Sequence, residues 1–214
     1  IEAVTDNLAV VVRAQDELGN LGSYYHQATG EVVDRNGAAG LLWIAALTEA
    51  ADVLDRPELL DVARDAGHHY ATFVDDAFVH GAPEDVHLAP SSEDAYNALI
   101  AFVRLHEQDG DPRWLELARR AADWTMTFRW TYNVEFGEHT ILRHYGFRTR
   151  GADNASPPNQ HLHAYGLIAL EELLALWRAT GDDHYLDRAR DNLACFLQLI
   201  AREDGDFNAG RGMV

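Results

Sequence analysis

The chain has 214 residues, with 35 acidic side chains against 17 basic ones and a formal charge of −18 at pH 7. Hydrophobic residues make up 47%, which is enough for a sizeable core and excludes intrinsic disorder of the whole chain. Every basic residue except histidine is an arginine, and acids predominate, so we expect no nucleic-acid partner and no binding to anionic membranes.

Cysteine content and hydropathy bound the class of protein further. Cys195 is the only cysteine, so the chain forms no internal disulfide. No apolar run reaches about 18 residues, which predicts no transmembrane helix, and no signal peptide is visible. The pattern starts inside a helix and ends without a closing element. We therefore expect a single domain that is a fragment of a longer protein. Localisation stays open, with the cytoplasm favoured, and so does the oligomeric state.

Hydrophobic periodicity predicts a mainly helical chain. The predicted helices cover residues 3–18, 38–54, 57–76, 91–108, 112–129, 160–180 and 183–202. Three of them contain segments that are apolar on every side, namely 41–47, 98–103 and 166–170. A helix of this kind is buried all round, whereas the amphipathic helices that follow expose one face to water.

Buried and amphipathic helices alternate as a repeated unit. Residues 58–64, 114–119 and 185–190 carry similar leucine- and arginine-containing patterns, at spacings of roughly 55 and 71 residues. Each pattern follows a short polar turn, at 55–57, 109–112 or 180–183. Long connections precede the buried helices, at about 19–37, 77–90 and 130–159. This order predicts helical hairpins that are joined by long loops.

The turn and amphipathic helix of residues 178–189, RATGDDHYLDRA, resemble the six-hairpin glycosidase superfamily. The resemblance implies an all-α fold in which repeated helical hairpins form an α/α toroid. Three hairpins and a spare first helix are present, so we expect a partial toroid. Alternating residues in 130–136 and 140–148 predict a small β-hairpin insertion around 130–148. A helical bundle or solenoid of other origin is the alternative.

In that superfamily the active cleft lies where long loops enter the inner helices, so these loops are the first place to search for a site. Loops supply walls, and helix N-termini supply N–H donors. The loop at 24–36 places Tyr24 and Tyr25 beside carboxylates and amides, a composition typical of sugar sites. A surface loop with packed tyrosines explains the same residues.

The start of the fourth helix holds a second group of candidates. Ser91 is expected to cap the helix, with Asp94 completing a capping box. Capping does not explain Tyr96 and Asn97, two polar-tipped residues in an otherwise apolar helix. A half-buried carboxylate here, from Glu93 or Asp94, could instead act as a general acid or base.

The connection before the sixth helix holds the third group, and its length is typical of functional loops. Asn159 or its neighbour, after two prolines, is expected to cap that helix. His161, His163 and Asp153 could form a zinc site, but a His-x-His pair is weak evidence among eleven histidines. We predict no metal and no cofactor. Candidates for glycan binding here are Trp130, Arg148, Asp153, Asn159, Gln160, His161, His163 and Tyr165. Hydrogen bonding at a buried helix start is the structural alternative.

The tail from 203 to 212 contains an Asp-x-Asp-x-Asn pattern. It fails as a calcium-binding EF-hand because Ala209 stands where glycine is required. Asp204 or Asp206 could supply a second catalytic carboxylate, and a plain acidic turn is the alternative.

These candidates and the resemblance together predict a carbohydrate-active enzyme, a glycoside hydrolase acting on an oligo- or polysaccharide. Two carboxylates would flank the glycosidic bond, one as proton donor and one as base or nucleophile. Glu93 and Asp94 are the predicted acid/base residues, with Asp153, Asp204 or Asp206 as partner. The predicted sugar platforms are Tyr24, Tyr25, Tyr96, Trp130 and Tyr132. The predicted polar ligands of hydroxyls or a carboxylate are Asn97, Arg148, Asn159, Gln160, His161 and His163.

Two other functions remain open. A polysaccharide lyase or sugar epimerase on uronate-containing glycans would use Tyr165 or His161 as base, with Arg148 or Asn159 neutralising the uronate. The charge of −18 opposes a polyanionic substrate. A non-catalytic helical-repeat scaffold would have no deep polar cleft and no loop carboxylate with a raised pKa.

Overall fold

A computed structural model describes residues 2–81 and 86–213 of the chain. Within these ranges it contains eight α-helices: α1 (Glu2–Ala14), α2 (Leu41–Val53), α3 (Glu58–Asp75), α4 (Ser92–Asp109), α5 (Pro112–Met126), α6 (Ile141–His144), α7 (Leu170–Thr180) and α8 (Asp183–Phe196). Two antiparallel strand pairs complete it: β1 (Tyr24–Tyr25) with β2 (Val32–Asp34), and β3 (Asp153–Asn154) with β4 (Leu162–His163). Short 3-10 helices cover Tyr165–Ala169 and Asp206–Asn208.

The predicted fold class is confirmed: the chain is an all-α protein of repeated helical hairpins. The hairpins are α2–α3, α4–α5 and α7–α8, and α1 is the spare first helix. Their turns fall where the sequence predicts them. Gly110 and Gly181 end α4 and α7 in left-handed conformation, with φ of 70° and 71°. Glycine suits this cap because it has no Cβ to clash.

The chain divides into two compact units, and the prediction of a single domain stays a prediction. Unit 1 comprises Ile1–Thr125 and Ser156–Asn159, and unit 2 comprises Met126–Ala155 and Gln160–Val214. None of the described helices combines the length and apolar character that a membrane crossing requires.

The core of unit 1 forms where α2 packs against α3 and α4. The stripe of α3 that faces it recurs every three or four residues, from Leu59 through Ala63 and Ala66 to Tyr70. Phe102 of α4 stacks on Trp114 of α5, with ring centroids 6.1 Å apart. The amphipathic pattern predicted for α3 is therefore confirmed.

Unit 2 packs α7 against α8 and against the 3-10 helix Tyr165–Ala169. Cys195 of α8 lies in a small core with Phe147 and Ala152. Burial raises the pKa of its thiol to about 11, so the thiol is protonated at neutral pH.

The small β element predicted from the sequence is present, but its position differs. The strands lie at 153–154 and 162–163, whereas the stretch around 130–148 contains helix α6, capped by Thr140. Segment 128–130 does run beside β3. Its backbone bonds join Asn154 N to Phe128 O, Trp130 N to Ala152 O and Gly151 N to Trp130 O, each at 2.8 Å. The predicted hairpin within 130–148 is therefore absent, and residues 128–130 pair instead with the region of β3. An alternating pattern predicts a strand but does not indicate the segment with which it pairs.

The sixth helix also differs from its prediction over 160–180. Regular α-helix starts at Leu170, because 162–163 pair with β3 and 165–169 form a 3-10 helix. Asn159 therefore does not cap it; its backbone N donates to Ser156 Oγ at 3.2 Å.

Burial of the three apolar segments comes closest to the prediction in α4, where only Ile100 of residues 98–103 is half-buried. In α2 the Leu42 side chain is 46% exposed, and Ile168, in the third apolar segment, is 58% exposed. The prediction that segments 41–47 and 166–170 are buried on all sides is therefore wrong for at least one side chain in each.

Candidate functional site

The start of α4 holds a complete capping box, as the sequence predicts. Asp94 N donates to Ser91 Oγ at 3.2 Å, and Asp94 Oδ2 accepts from Ser91 N and Ser91 Oγ, each at 2.8 Å. Asp94 is buried by these contacts. Glu93 is half-buried, and its Oε2 accepts from Ser92 Oγ at 3.0 Å. The structure thus explains Asp94 as a cap, while a catalytic role for either carboxylate stays a prediction.

Tyr96 and Asn97 follow on the same helix. The Tyr96 ring is fully buried among the core residues of unit 1, and Asn97 is buried as well, with 8% of its surface exposed. In this structure the Tyr96 ring has no open face for a sugar, because the core covers it. Substrate contact through Asn97 stays a prediction.

The tyrosines of β1 differ from each other. Tyr24 is exposed, and Tyr25 is half-buried with its hydroxyl donating to the Leu21 carbonyl. Burial raises the pKa of Tyr25, and the nearby Arg35 partly opposes this rise. Tyr25 lines a cavity of about 370 Å³ whose other walls include Val10 and Trp43. This cavity offers apolar contacts more than the converging polar groups of a sugar site.

Asp153 forms a buried ion pair with Arg129. Arg129 Nε lies 2.8 Å from Asp153 Oδ1, and Arg129 Nη2 lies 3.0 Å from Oδ2. Asn192 Nδ2 also donates to Oδ2, at 3.2 Å. Gly166 fits against the pair only because it has no side chain: an added Cβ would lie 2.1 Å from Arg129 Nη2. Both oxygen atoms of Asp153 are therefore engaged, which removes it from the zinc set considered above.

The two histidines before α7, His161 and His163, lie side by side at strand β4. The ring centroids of His161 and His163 are 5.4 Å apart, and His163 stacks on Tyr165 at 4.4 Å. Nδ1 of His163 accepts the backbone N–H of Tyr165 at 3.1 Å, so a neutral ring carries its proton on Nε2. The Tyr165 ring is 58% exposed. No group of three described His, Cys, Asp or Glu residues is arranged to hold a metal ion.

A cavity of about 360 Å³ in unit 2 joins several predicted residues, and we name it the aromatic–amide cavity. Trp130 and Tyr132 form an edge-to-face pair in its wall, with centroids 5.3 Å apart. Asn154 and Gln160 bring amides to it, and Thr127 brings a hydroxyl. Backbone bonds from 151–152 hold Trp130 in place, and Thr149 Oγ1 donates to the Tyr132 carbonyl at 2.7 Å.

A second cavity in unit 2, of about 420 Å³, joins Arg148 to Asp206, and we name it the loop cavity. The rings of Tyr145 and Phe207 meet in its wall. No sequence pattern marks these aromatic residues, or Arg129 and Asn192, as members of a site. A single aromatic residue in a loop does not indicate a binding site by its type alone. The ion pair joins residues 24 positions apart, and no short-range sequence pattern predicts such a contact.

The candidates thus fall into separate groups. Glu93, Asp94, Tyr96 and Asn97 share α4, and Tyr24 and Tyr25 share β1. Trp130 and Gln160 share the aromatic–amide cavity, Arg148 lies in the loop cavity, and His161, His163 and Tyr165 form one stack. Asp204 lies in the tail, where its Oδ1 accepts from Arg211 N at 2.9 Å.

Comparison with protein-family models and with curated proteins finds no match. Solved structures do match. An unsaturated glucuronyl hydrolase from Streptococcus agalactiae is similar over all of this chain, with a TM-score of 0.61 and 14% identity. The chain has the fold of the six-hairpin glycosidase superfamily.

Other structures of this superfamily agree. An Asp-to-Asn mutant of the same hydrolase, in complex with dGlcA-GalNAc6S, covers 99% of the chain at 14% identity, with a TM-score of 0.61. The GH76 α-mannanase of Bacteroides thetaiotaomicron covers 90% at 15% identity, with a TM-score of 0.52. The chain spans about half the length of these proteins, 47% of the hydrolase and 59% of the mannanase. The superfamily resemblance predicted from residues 178–189 is confirmed at the level of the fold.

Proposed function

We propose that the chain belongs to a carbohydrate-active enzyme, a glycoside hydrolase that acts on an oligo- or polysaccharide. The aromatic–amide cavity carries this proposal. Aromatic rings offer faces to sugar C–H groups, while amides and a hydroxyl offer bonds to sugar hydroxyls. The cavity also contains Arg129, whose charge is offset by Asp153. The rest of the cavity lining named here is aromatic or neutral and polar, a composition that suits a sugar.

The names of the structural neighbours support the same class of reaction. One is a glucuronyl hydrolase and the other a mannanase. They differ in substrate, so they favour the breaking of glycosidic bonds without favouring one sugar.

The acid/base residues of the proposal are Glu93 and Asp94. Asp94 accepts two hydrogen bonds from Ser91, and these stabilise its ionised form; it is therefore assigned the role of base, which the ionised form must fill. Glu93 is half-buried beside Ser92 and is assigned the role of proton donor. Asp153 is assigned a positioning role, because its ion pair with Arg129 adjoins Trp130.

The test uses the full protein that contains this chain, incubated with neutral and uronate-containing glycans, with mass spectrometry of the products. Products that gain one water support hydrolysis. Glu93→Gln and Asp94→Asn should each lower kcat by roughly 10²- to 10⁴-fold. Ser91→Ala is the matched control: it removes the cap, costs about 1 kcal/mol of stability, and keeps both carboxylates. Unchanged turnover in folded Glu93→Gln and Asp94→Asn would remove the catalytic assignment.

The sugar-binding part of the proposal has its own variants. Trp130→Ala should raise KM without a matching fall in kcat if the ring contributes binding throughout the reaction. Trp177→Ala is the control, since Trp177 lies on α7 and its indole N–H donates to Asp183, outside the cavity. An equal change of KM in both variants would contradict the assignment.

A lyase or epimerase is the second candidate, favoured by the exposed Tyr165 ring that stacks on neutral His163. Such an enzyme would leave an unsaturated or isomerised sugar without adding water. The same mass-spectrometric experiment separates it from hydrolysis. Products of elimination that disappear in Tyr165→Phe would replace the hydrolase proposal.

A further inference from the structure

The cavity beside Tyr25 in unit 1 is a groove between α1, the β1–β2 turn and the start of α2, and we name it the α1–α2 groove. Val10 and Val11 of α1 and Trp43 of α2 form its apolar walls. None of the described residues that line it is an aspartate, a glutamate or an arginine, although the chain contains 35 acidic and 17 basic side chains. Surfaces that bind another protein segment are depleted of charge at their centre in the same way.

One side of the groove is closed by the turn between β1 and β2. His26 N donates to Glu31 O, and Gly30 N donates to His26 O, each at 2.8 Å. Gly30 lies directly against α1, since an added Cβ would be 2.9 Å from Cγ1 of Val10. Backbone contacts therefore fix the groove as a feature of unit 1.

Helix α1 has more apolar surface than unit 1 covers. Leu8 and Val11 are buried, whereas Val4 is 57% exposed. These three residues lie on one side of the helix, because they recur every three or four positions. The apolar stripe of α1 thus continues towards the start of the helix, beyond the residues that cover it.

Helix α2 also leaves apolar surface open. It packs against α3 and α4, and Leu41 and Ile44 are buried. Leu42 is exposed and Trp43 is half-buried, and so are two alanines of the next turn, Ala45 and Ala46. A helix that is apolar on a side left open by its neighbours is typical of one that buries this side against a further element.

The order of the hairpins indicates what this element is. Helices α3, α5 and α8 each follow a more apolar helix through a short turn, and α2 packs both on its own partner α3 and on the next apolar helix, α4. Helix α1 precedes a long connection, as α3 and α5 do, but no described helix precedes it. A partner placed one step back in this repeat would contact α1 as α2 contacts α3, and would contact α2 as α2 contacts α4. Both contacts meet at the α1–α2 groove.

We propose that the α1–α2 groove binds one further helix of the same protein, apolar on the side that contacts Val10 and Trp43 and joined to α1 by a short polar turn. An apolar helix suits uncharged walls because its backbone groups are bonded within the helix. The chain spans 47% of the similar hydrolase, so that structure contains elements beyond those described here. The helix is needed whether or not the protein is a hydrolase.

Cysteine labelling of the full protein that contains this chain tests the docking. The new thiol of Val4→Cys lies in the first turn of α1, where the helix dipole lowers its pKa and speeds reaction with a maleimide if the thiol is exposed. We expect it instead to react about tenfold more slowly than the thiol of Leu18→Cys. Leu18 is the matched control, since it is 76% exposed and lies outside the groove. Both thiols should react alike in urea, and equal rates in the folded protein overturn the inference.

The melting temperature gives a second measurement on the same residue. Val4→Asp should lower it by about 5 °C or more, since the docked helix would bury the carboxylate. On an exposed first turn the same carboxylate is stabilising, so an unchanged or raised melting temperature overturns the inference. Leu18→Asp is the control and should change the melting temperature by about 1 °C at most.

Two measurements on the full protein identify what covers the groove. Hydrogen exchange should show a protected segment of about ten residues directly before α1, the length of an ordinary helix. Rapid exchange throughout that segment overturns the inference. Labelling of Val4→Cys is also repeated on dilution, with sedimentation velocity reporting the oligomeric state. Slow labelling should persist in the monomer, whereas protection that disappears on dilution means that a second copy covers the groove and that the inference is wrong.

Discussion

Arg129 and Asp153 form an ion pair whose side chains are almost entirely buried, whereas the other ion pairs described here are at least partly exposed. A buried charge is costly to leave unpaired, because it has lost its hydration. The pair also adjoins Gly166 and Asn192, so it connects segment 128–130 to the start of the 3-10 helix and to α8.

Asp153→Asn should therefore destabilise the fold strongly. The substitution leaves the Arg129 guanidinium buried without its counter-ion, and we expect a loss of about 3 kcal/mol in the free energy of unfolding. Urea denaturation followed by tryptophan fluorescence measures it. The control is Asp187→Asn, which breaks the exposed pair with Arg190 and should change stability by no more than about 0.5 kcal/mol. Equal effects of the two substitutions would contradict the structural role of Asp153.

Tyr70 makes stability depend on alkaline pH. Its hydroxyl accepts from Leu21 N and donates to Asn20 Oδ1, each at 3.1 Å, and burial raises its pKa to about 12. Between the ordinary pKa of about 10 and this value, the unfolded chain loses the proton while the folded chain keeps it. Stability is therefore full below about pH 10 and falls as the pH rises towards 12, by about 2 kcal/mol.

Denaturation at about pH 9 and about pH 11.5 tests this dependence. Tyr70→Phe should be less stable at the lower pH, because it lacks both hydrogen bonds, but it should lose less stability between the two pH values. The buried thiol of Cys195 contributes in the same direction, so the comparison with Tyr70→Phe isolates the tyrosine. If Tyr70→Phe lost as much stability between the two pH values as the original chain does, the prediction would be contradicted.

The hairpin repeat extends into the loops between the helices. Gly19 and Gly151 each occupy a left-handed conformation, with φ of 87° and 90°. Each lies against the backbone of an amphipathic helix. An added Cβ would be 2.2 Å from the Asp65 carbonyl oxygen of α3 in one case and 2.0 Å from that of Asp191 in α8 in the other. Each loop thus contacts the second helix of the hairpin that follows it, α3 or α8, through the same close approach.

Gly151→Ala should test this contact at the level of the element. It imposes a left-handed alanine and a clash with a helix backbone, and we expect a loss of about 3 kcal/mol or more. Gly181→Ala is the matched control, since Gly181 is also left-handed but an added Cβ meets nothing within 4 Å. It should cost only about 1 kcal/mol. Thermal melts of both variants measure the difference, and similar melting temperatures would contradict the close contact.

The charge of the whole molecule predicts a stabilising effect of salt. An excess of acidic groups repels itself more strongly in the compact chain than in the unfolded one. Sodium chloride, raised from about 20 to about 300 mM, shortens the screening length and should raise the melting temperature by a few degrees. A fall in the melting temperature would mean that the exposed ion pairs, which salt weakens, outweigh the net repulsion.

The sequence pattern predicts the hairpins and the capping box, but it does not predict the path of the loop at 130–159. Ser91 and Asp94 act over three residues, so their pattern specifies their contact. Trp130 and Gln160 were recognised by residue type, yet only pairing of 128–130 with β3 brings them to one cavity. The position of Phe207 depends on left-handed conformations at Phe207 and Asn208. Glycine is the residue that usually indicates such a conformation, and neither of these residues is a glycine.

The sequence by itself determined the all-α class, the three hairpins and their short polar turns, two of which contain a glycine. Helix periodicity and capping depend on residues only a few positions apart, so they can be recognised directly in the sequence. Tertiary structure alone decided that Asp153 pairs with Arg129, that His163 stacks on Tyr165 and that Arg148 reaches the loop cavity. Each of these depends on where loops cross in space, and the long connections of this chain carry no periodic pattern that encodes it.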